Sequence, residues 1–138
     1  MKRILLLIVL LSVLSCKQNI SEADISNLNG YWEIEKVELP DGDKKEYKVN
    51  ETIDFFKIEA NKGFRKKVMP QLDGTYLTND IQEDVVVVVK DGDASLQYKT
   101  TYASWNEEII ELTKDKLVVK NQQEIEYYYK RPAKFSVK

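Results

Sequence analysis

Hydrophobic positions in this chain come in short runs in which apolar and polar side chains tend to alternate, and clusters of turn-forming residues separate the runs at intervals of about eight to twelve residues. Tyr31 to Leu39 reads as the first strand. Its apolar parity passes from Trp32 and Ile34 to Val37 and Leu39, which predicts a bulge or sharp bend near Glu35-Lys36. Pro40-Asp41-Gly42-Asp43 reads as a turn, and the polar stretch Lys44 to Asn50 as a mobile connection. Thr52 to Ala60 places Ile53 and Phe55 on one face and Phe56, Ile58 and Ala60 on the other, with a hairpin turn expected at Asn61-Lys62-Gly63. Phe64 to Met69 and Thr75 to Thr78 follow as less regular strands.

Val85 to Val89 is the strongest strand signal, because β-branched side chains favour the pleated sheet over the helix. Being apolar on both faces, it reads as a central strand with outer valines or as a strand whose outer face meets a partner. Asp91-Gly92-Asp93 predicts a type I′ hairpin, after which Ala94, Leu96 and Tyr98 alternate with Ser95, Gln97 and Lys99. Thr100 to Asn106 is expected to be a loop. Glu107 to Thr113, Leu117 to Lys120 and Glu124 to Lys130 complete a set of about nine strands without a long amphipathic helix. An all-β antiparallel meander of about 8–10 strands, closed as a barrel or packed as a sandwich, is the fold this spacing predicts.

The chain begins differently. Met1-Lys2-Arg3 and the apolar Ile4 to Leu11 form the basic and hydrophobic regions of a secretory signal, too short for a transmembrane span. Ser12-Val13-Leu14-Ser15-Cys16 then resembles the lipobox of bacterial lipoproteins, although Leu14 stands where a smaller residue is usual. The resemblance implies cleavage of a signal peptide at 1–15 and acylation of Cys16, for instance with palmitate. Two or more acyl chains, at about 0.8 kcal/mol per buried methylene, then hold the protein at a membrane. Residues 16–27 are expected to be a polar tether and 28–138 the folded domain. Lys17, where some lipoproteins carry an inner-membrane Asp, favours the outer membrane of a Gram-negative envelope.

Composition narrows the function. The 138 residues are 43% hydrophobic and 32% charged, suiting one globular domain. Without Lys2 and Arg3 there remain 19 basic and 23 acidic residues. That mild acidity, with no concentrated basic patch, argues against nucleic acid as a partner. Cys16 is the only cysteine, so no disulfide is expected within the domain. The chain has no His, which removes Ser-His-Asp and Cys-His nucleophiles and His-ligated zinc.

Gly30-Tyr31-Trp32 at the first strand, Thr100-Thr101-Tyr102 after a late one and Arg131 beyond the last resemble the signature of the lipocalin and wider calycin families, with Thr101 in place of the family's Asp. The small bacterial lipocalin-like lipoproteins share the whole pattern of Cys anchor, Leu-x-Gly-x-Trp, successive hairpins and a closing Tyr127-Tyr128-Tyr129-Lys130-Arg131. The resemblance implies an up-and-down β-barrel in which Gly30, Trp32 and Arg131 close one end, with Arg131 stacked on Trp32, and in which a turn of helix before the first strand lids that end.

Candidate chemistry is sparse. Glu107-Glu108, Glu83-Asp84 and Asp41/Asp43 read as solvated acidic faces, and adjacent strand residues point to opposite sides. Asp41-Gly42-Asp43 and Asp91-Gly92-Asp93 lack the further ligands calcium needs and read as turns. Lys62, Arg65, Lys66 and Lys67 read as a solvated basic hairpin. No catalytic residue, cofactor or metal is therefore expected. Phe55, Tyr98, Tyr127 and Tyr129 are the candidate cavity lining for a small hydrophobic or amphipathic ligand. The competing expectation is a self-filled barrel that serves as a structural or protein-interaction module of the envelope.

Overall fold

The computed structural model describes residues 17–48, 50–79 and 81–133. Cys16 and the signal segment before it lie outside the described residues, as do Lys134 to Lys138. Ten strands form one sheet: β1 (Gly30–Glu38), β2 (Lys44–Glu46), β3 (Ile53–Glu59), β4 (Lys62–Pro70), β5 (Tyr76–Thr78), β6 (Glu83–Lys90), β7 (Asp93–Lys99), β8 (Ser104–Leu112), β9 (Lys116–Asn121) and β10 (Glu126–Lys130). All pairings are antiparallel between neighbours, and β10 pairs with β1 to close the ring. β2 extends the edge of β1, and β5 extends the edge of β4, so the barrel itself is eight-stranded.

Local chemistry explains several of these elements. Asp91 and Gly92 both take positive φ, as a type I′ turn requires, and the β6–β7 hairpin is built on them. The β3–β4 hairpin turns on Ala60 and Asn61, at φ 51° and 62°, rather than on Asn61-Lys62-Gly63. Gly63 lies within β4, where an added Cβ would sit 1.8 Å from the Lys57 carbonyl oxygen. The β1–β10 register shifts between Ile34 and Lys36, where the apolar parity of β1 changes. The polar stretch after the first turn contains the short strand β2, paired through Lys36–Glu46, Val37–Lys45 and Glu38–Lys44.

The expected tether is instead part of the fold. Ile20, Ile25 and Leu28 are buried in the main core together with Trp32, Phe56, Leu96, Ile109 and Leu117. Glu22–Leu28 forms a 3₁₀ helix whose start is capped by the Asp24 carboxylate, which accepts from the Ser21 backbone N–H at 2.9 Å and its hydroxyl at 3.0 Å. The Ile20 N–H donates to the Gly92 carbonyl at 2.9 Å, and Gln18 exchanges side-chain hydrogen bonds with the backbone of Leu112. Ordering a segment costs conformational entropy, and three buried apolar side chains supply the compensation that a polar tether would lack. The segment from Lys17 onward therefore belongs to the folded unit and lids one end of the barrel.

Candidate functional site

Inward-facing residues follow from register. Trp32 pairs with Asp54 and Asp54 with Lys67; Phe56 pairs with Arg65 and Arg65 with Glu83. Val85 pairs with Tyr98 and Tyr98 with Trp105; Leu96 pairs with Glu107 and Glu107 with Asn121. Tyr127 and Tyr129 face inward from β10, opposite Val119 and Leu117. Side chains of paired residues share a face, so these rows place apolar groups toward the lidded end and a band of charge toward the other.

Arg65 sits in that band. Its side chain is 11% exposed and forms a two-point ion pair with Glu83, through Nε at 3.1 Å and Nη2 at 2.5 Å. Its guanidinium also lies 4.2 Å from the Tyr98 ring centroid, and Nη1 is 3.7 Å from Glu107 Oε1. Burial opposes the Arg65 charge, but Tyr98, Glu83 and Asp54 together outweigh it and hold its pKa above the ordinary value. Glu107 is 7% exposed, and burial pushes its carboxyl upward, with the Arg65 charge pulling the other way. Neither Glu107 Oε1 nor the Tyr98 hydroxyl has a hydrogen bond. Asp54 Oδ1 meets Lys67 Nζ at 2.5 Å, off the hydrogen-bonding direction. Burial raises the Tyr98 and Tyr129 hydroxyls well above the usual phenol value.

Above this band the barrel is open. One cavity of about 350 Å³ is bordered by Arg65, Trp105, Glu107, Asn121 and Tyr127, and a second of about 340 Å³ by Trp32, Val37, Asn50 and Asp54. Lys67, Tyr127 and Tyr129 line both, so the two are lobes of one mouth. The segment between β2 and β3 rims the second lobe, with Tyr47 N–H donating to the Glu35 carbonyl and Asn50 Nδ2 to Glu33 and to the Ile34 carbonyl.

The aromatic residues expected to line a cavity separate. Tyr127 and Tyr129 do line the mouth. Tyr98 is a core residue beneath it, stacked on Trp105 with ring centroids 5.4 Å apart. Phe55 is on the outer wall, tilted against Tyr31 at 4.8 Å, because β3 turns Phe56 inward and its neighbour must point out. There the β4–β5 ribbon curls back: Tyr76 stacks on Tyr31 at 4.0 Å and 12°, beside an outer cleft of about 630 Å³ between the ribbon and the barrel wall.

The opposite end holds the three closure residues together. Gly30 has φ +106°, and Arg131 reaches from beyond β10 across Trp32. The Arg131 guanidinium donates to the carbonyls of Tyr31 at 2.9 Å, Asn27 at 2.7 Å and Lys114 at 2.9 Å. The Trp32 indole N–H donates to the Leu28 carbonyl at 2.8 Å, fixing the ring against the lid. Thr100-Thr101-Tyr102 forms the β7–β8 turn at the mouth end, remote from both, with Tyr102 fully in solvent.

Arg65, Glu83 and Glu107, expected to be solvated, instead form a largely buried charged cluster at the candidate site. Glu107 shares parity with buried Ile109, and the two-residue turn at Ala60-Asn61 puts Arg65 opposite inward-facing Phe56. Those two signals, parity and turn position, would have found them. Among the described residues, no three His, Cys, Asp or Glu side chains are grouped to hold a metal ion.

Comparison with known proteins follows the fold. Residues 28–119 match the family model described as a lipocalin-like domain. A lipocalin-like protein from Bacteroides uniformis is similar in structure at a TM-score of 0.50 and 12% sequence identity, over 77% of this chain and 99% of its own. At that identity the likeness concerns the fold alone. An uncharacterized protein from Bacteroides eggerthii is 16% identical over 76% of this chain and 99% of its own, with a TM-score of 0.48. No curated protein matches.

Proposed function

Because the chain belongs to the lipocalin-like domain family, we propose that it is a non-catalytic protein that binds a small molecule in the open end of its barrel. The observation that carries this reading is the two-lobed mouth, floored by buried ionisable groups of which Glu107 Oε1 has no hydrogen-bond partner. A protein whose barrel served only as a packed solid would gain by filling that floor with apolar side chains, since buried ion pairs contribute little net stability. Native mass spectrometry of the protein isolated from a Gram-negative host, followed by solvent extraction, tests the reading. A stoichiometric small molecule is the expected result; an empty protein that takes up no added small molecule would overturn it.

The proposed setting is the cell envelope, with the chain held through acylated Cys16, as the Met1 to Cys16 sequence supports. Lys17 pairs with Asp93 at 2.7 Å and with Glu108 on the outer wall beside the lidded end. A lipid one residue earlier would keep that end near the bilayer and turn the mouth toward water.

A protein-docking role is the second reading. Met69, Leu72, Leu77 and Ile81 leave large apolar side chains in solvent on the β4–β5 ribbon and the segment after it. In-cell cross-linking from position 77 that traps no protein would remove it.

A further inference from the structure

Resting on the mouth as a ligand site, we propose that its larger lobe accepts a neutral, hydroxyl-rich molecule of one or two sugar rings, stacked on Trp105 and donating a hydroxyl hydrogen bond to Glu107. Four features of the lobe converge on that chemistry.

Charge excludes the ionic alternatives. An anion entering this lobe would approach Glu107, and the facing cations Arg65 and Lys67 are already paired with Glu83 and Asp54. An ammonium ligand would meet Arg65 and Lys67 on the walls of the same lobe. Only a neutral ligand avoids a like-charge contact on either side.

Hydrogen bonding excludes an oily one. Hydrocarbon laid over Glu107 and Arg65 would meet charged side chains on the lobe wall, whereas hydroxyl groups can hydrogen-bond with them. The rim adds amide groups, with Asn106, Gln122 and Gln123 presenting both donors and acceptors to the lobe. Asn121 is engaged in holding the rim: its Oδ1 accepts from the N–H groups of Gln123 and Ile125, each at 3.0 Å.

Shape and stacking complete the case. Trp105 packs against Tyr98, at 5.4 Å and 16°, and is only half-buried, so indole surface remains on the cavity side. The C–H faces of a sugar ring suit a π-face, which is negative at its centre. A volume of about 350 Å³ lies at the small end of ligand cavities, which run from roughly 300 to 1,000 Å³.

The experiment uses the full chain, purified in detergent, with calorimetry and saturation-transfer NMR against cellobiose, maltose, N-acetylglucosamine, octanoate and spermidine as probes. At least one sugar is expected to bind, while octanoate and spermidine leave the mouth empty. Glu107→Gln and Trp105→Ala are each expected to weaken the sugar by about tenfold, the loss of one well-placed contact. Because Trp105→Ala removes packing, the exposed Asn106→Ala and Gln123→Ala provide a second set, expected to weaken the sugar several-fold at an unchanged melting temperature. Octanoate or spermidine bound at the mouth without any sugar would overturn the hydroxyl-rich ligand and leave the mouth a binding site. Failure of every probe would overturn both. Sugar binding indifferent to all four substitutions would place it elsewhere and also refute the proposal.

Discussion

Arg131 holds its guanidinium carbon 3.6 Å from the centroid of the Trp32 ring, two residues 99 positions apart in sequence that together seal the lidded end of the barrel. The contact is made from beyond the last strand to the first, so it clasps the seam where β10 meets β1. Gly30 is part of the same device, since a Cβ there would stand 3.2 Å from Arg131 Nη1 on a backbone already at positive φ. Burial lowers the Arg131 pKa, but the group stays charged.

Removing the clasp should loosen the seam. Arg131→Ala is expected to cost about 2 to 3 kcal/mol, combining the cation-π contact with stranded carbonyls of Tyr31 and Asn27. Arg131→Lys should recover only part of this, because a single ammonium cannot span three carbonyls and cover the ring together. Urea unfolding of the three proteins measures it; equal midpoints would show that the contact is idle.

The buried pair at the mouth predicts a different pattern. Arg65→Met is expected to destabilise by about 3 to 5 kcal/mol, because Glu83 and Glu107 lose their cation. Adding Glu83→Gln and Glu107→Gln to Arg65→Met should return about half of that loss or more. A triple variant no better than Arg65→Met alone would show that the guanidinium acts through packing rather than charge.

Glu107 gives the fold a pH dependence of defined sign. Burial raises its folded pKa above the ordinary 4.5, so the native protein retains a proton that the unfolded chain releases. The stability from this group is whole below 4.5 and is lost as pH rises through the folded value. Relative to the parent, Glu107→Gln should therefore gain melting temperature as pH increases from 4.5, reaching a plateau above the folded pKa. Thermal melts at successive pH values test this, and a difference that is flat or falls with pH would contradict it.

Anchoring is tested at the other end of the chain. Cys16→Ala should abolish labelling by tritiated palmitate and leave an unprocessed precursor, because the thiol is the acceptor and lipidation precedes cleavage in the lipoprotein pattern that the segment resembles. Label retained on the variant would remove Cys16 as the anchor.

Most of the scaffold was written locally. Alternation placed the strands, the Asp91-Gly92 pair placed a hairpin, and the parity change within β1 placed its bulge, because each depends on a few neighbouring residues. The segment from Ile20 to Leu28 escaped because its three apolar residues are too sparse to form a strand or a convincing helix and acquire a role only against the barrel floor. Phe55 was misplaced for a similar reason. Both faces of β3 are apolar, and sequence alone does not say which faces the interior; pairing Phe56 with Arg65 and folding the β4–β5 ribbon over Phe55 does.

By itself, then, the sequence determined an antiparallel all-β meander, and its short signature resembled that of a lipocalin-like barrel closed by Gly30, Trp32 and Arg131, since turn chemistry, period-two patterning and such a signature act over a few residues. Only the tertiary structure decided that Arg65, Glu83 and Glu107 share the interior, that the mouth is polar, and that Ile20, Ile25 and Leu28 join the core. A charged residue on a strand looks the same in sequence whether it faces water or the interior; strand register, fixed by a turn of two residues and closed through eight strands, chooses the side.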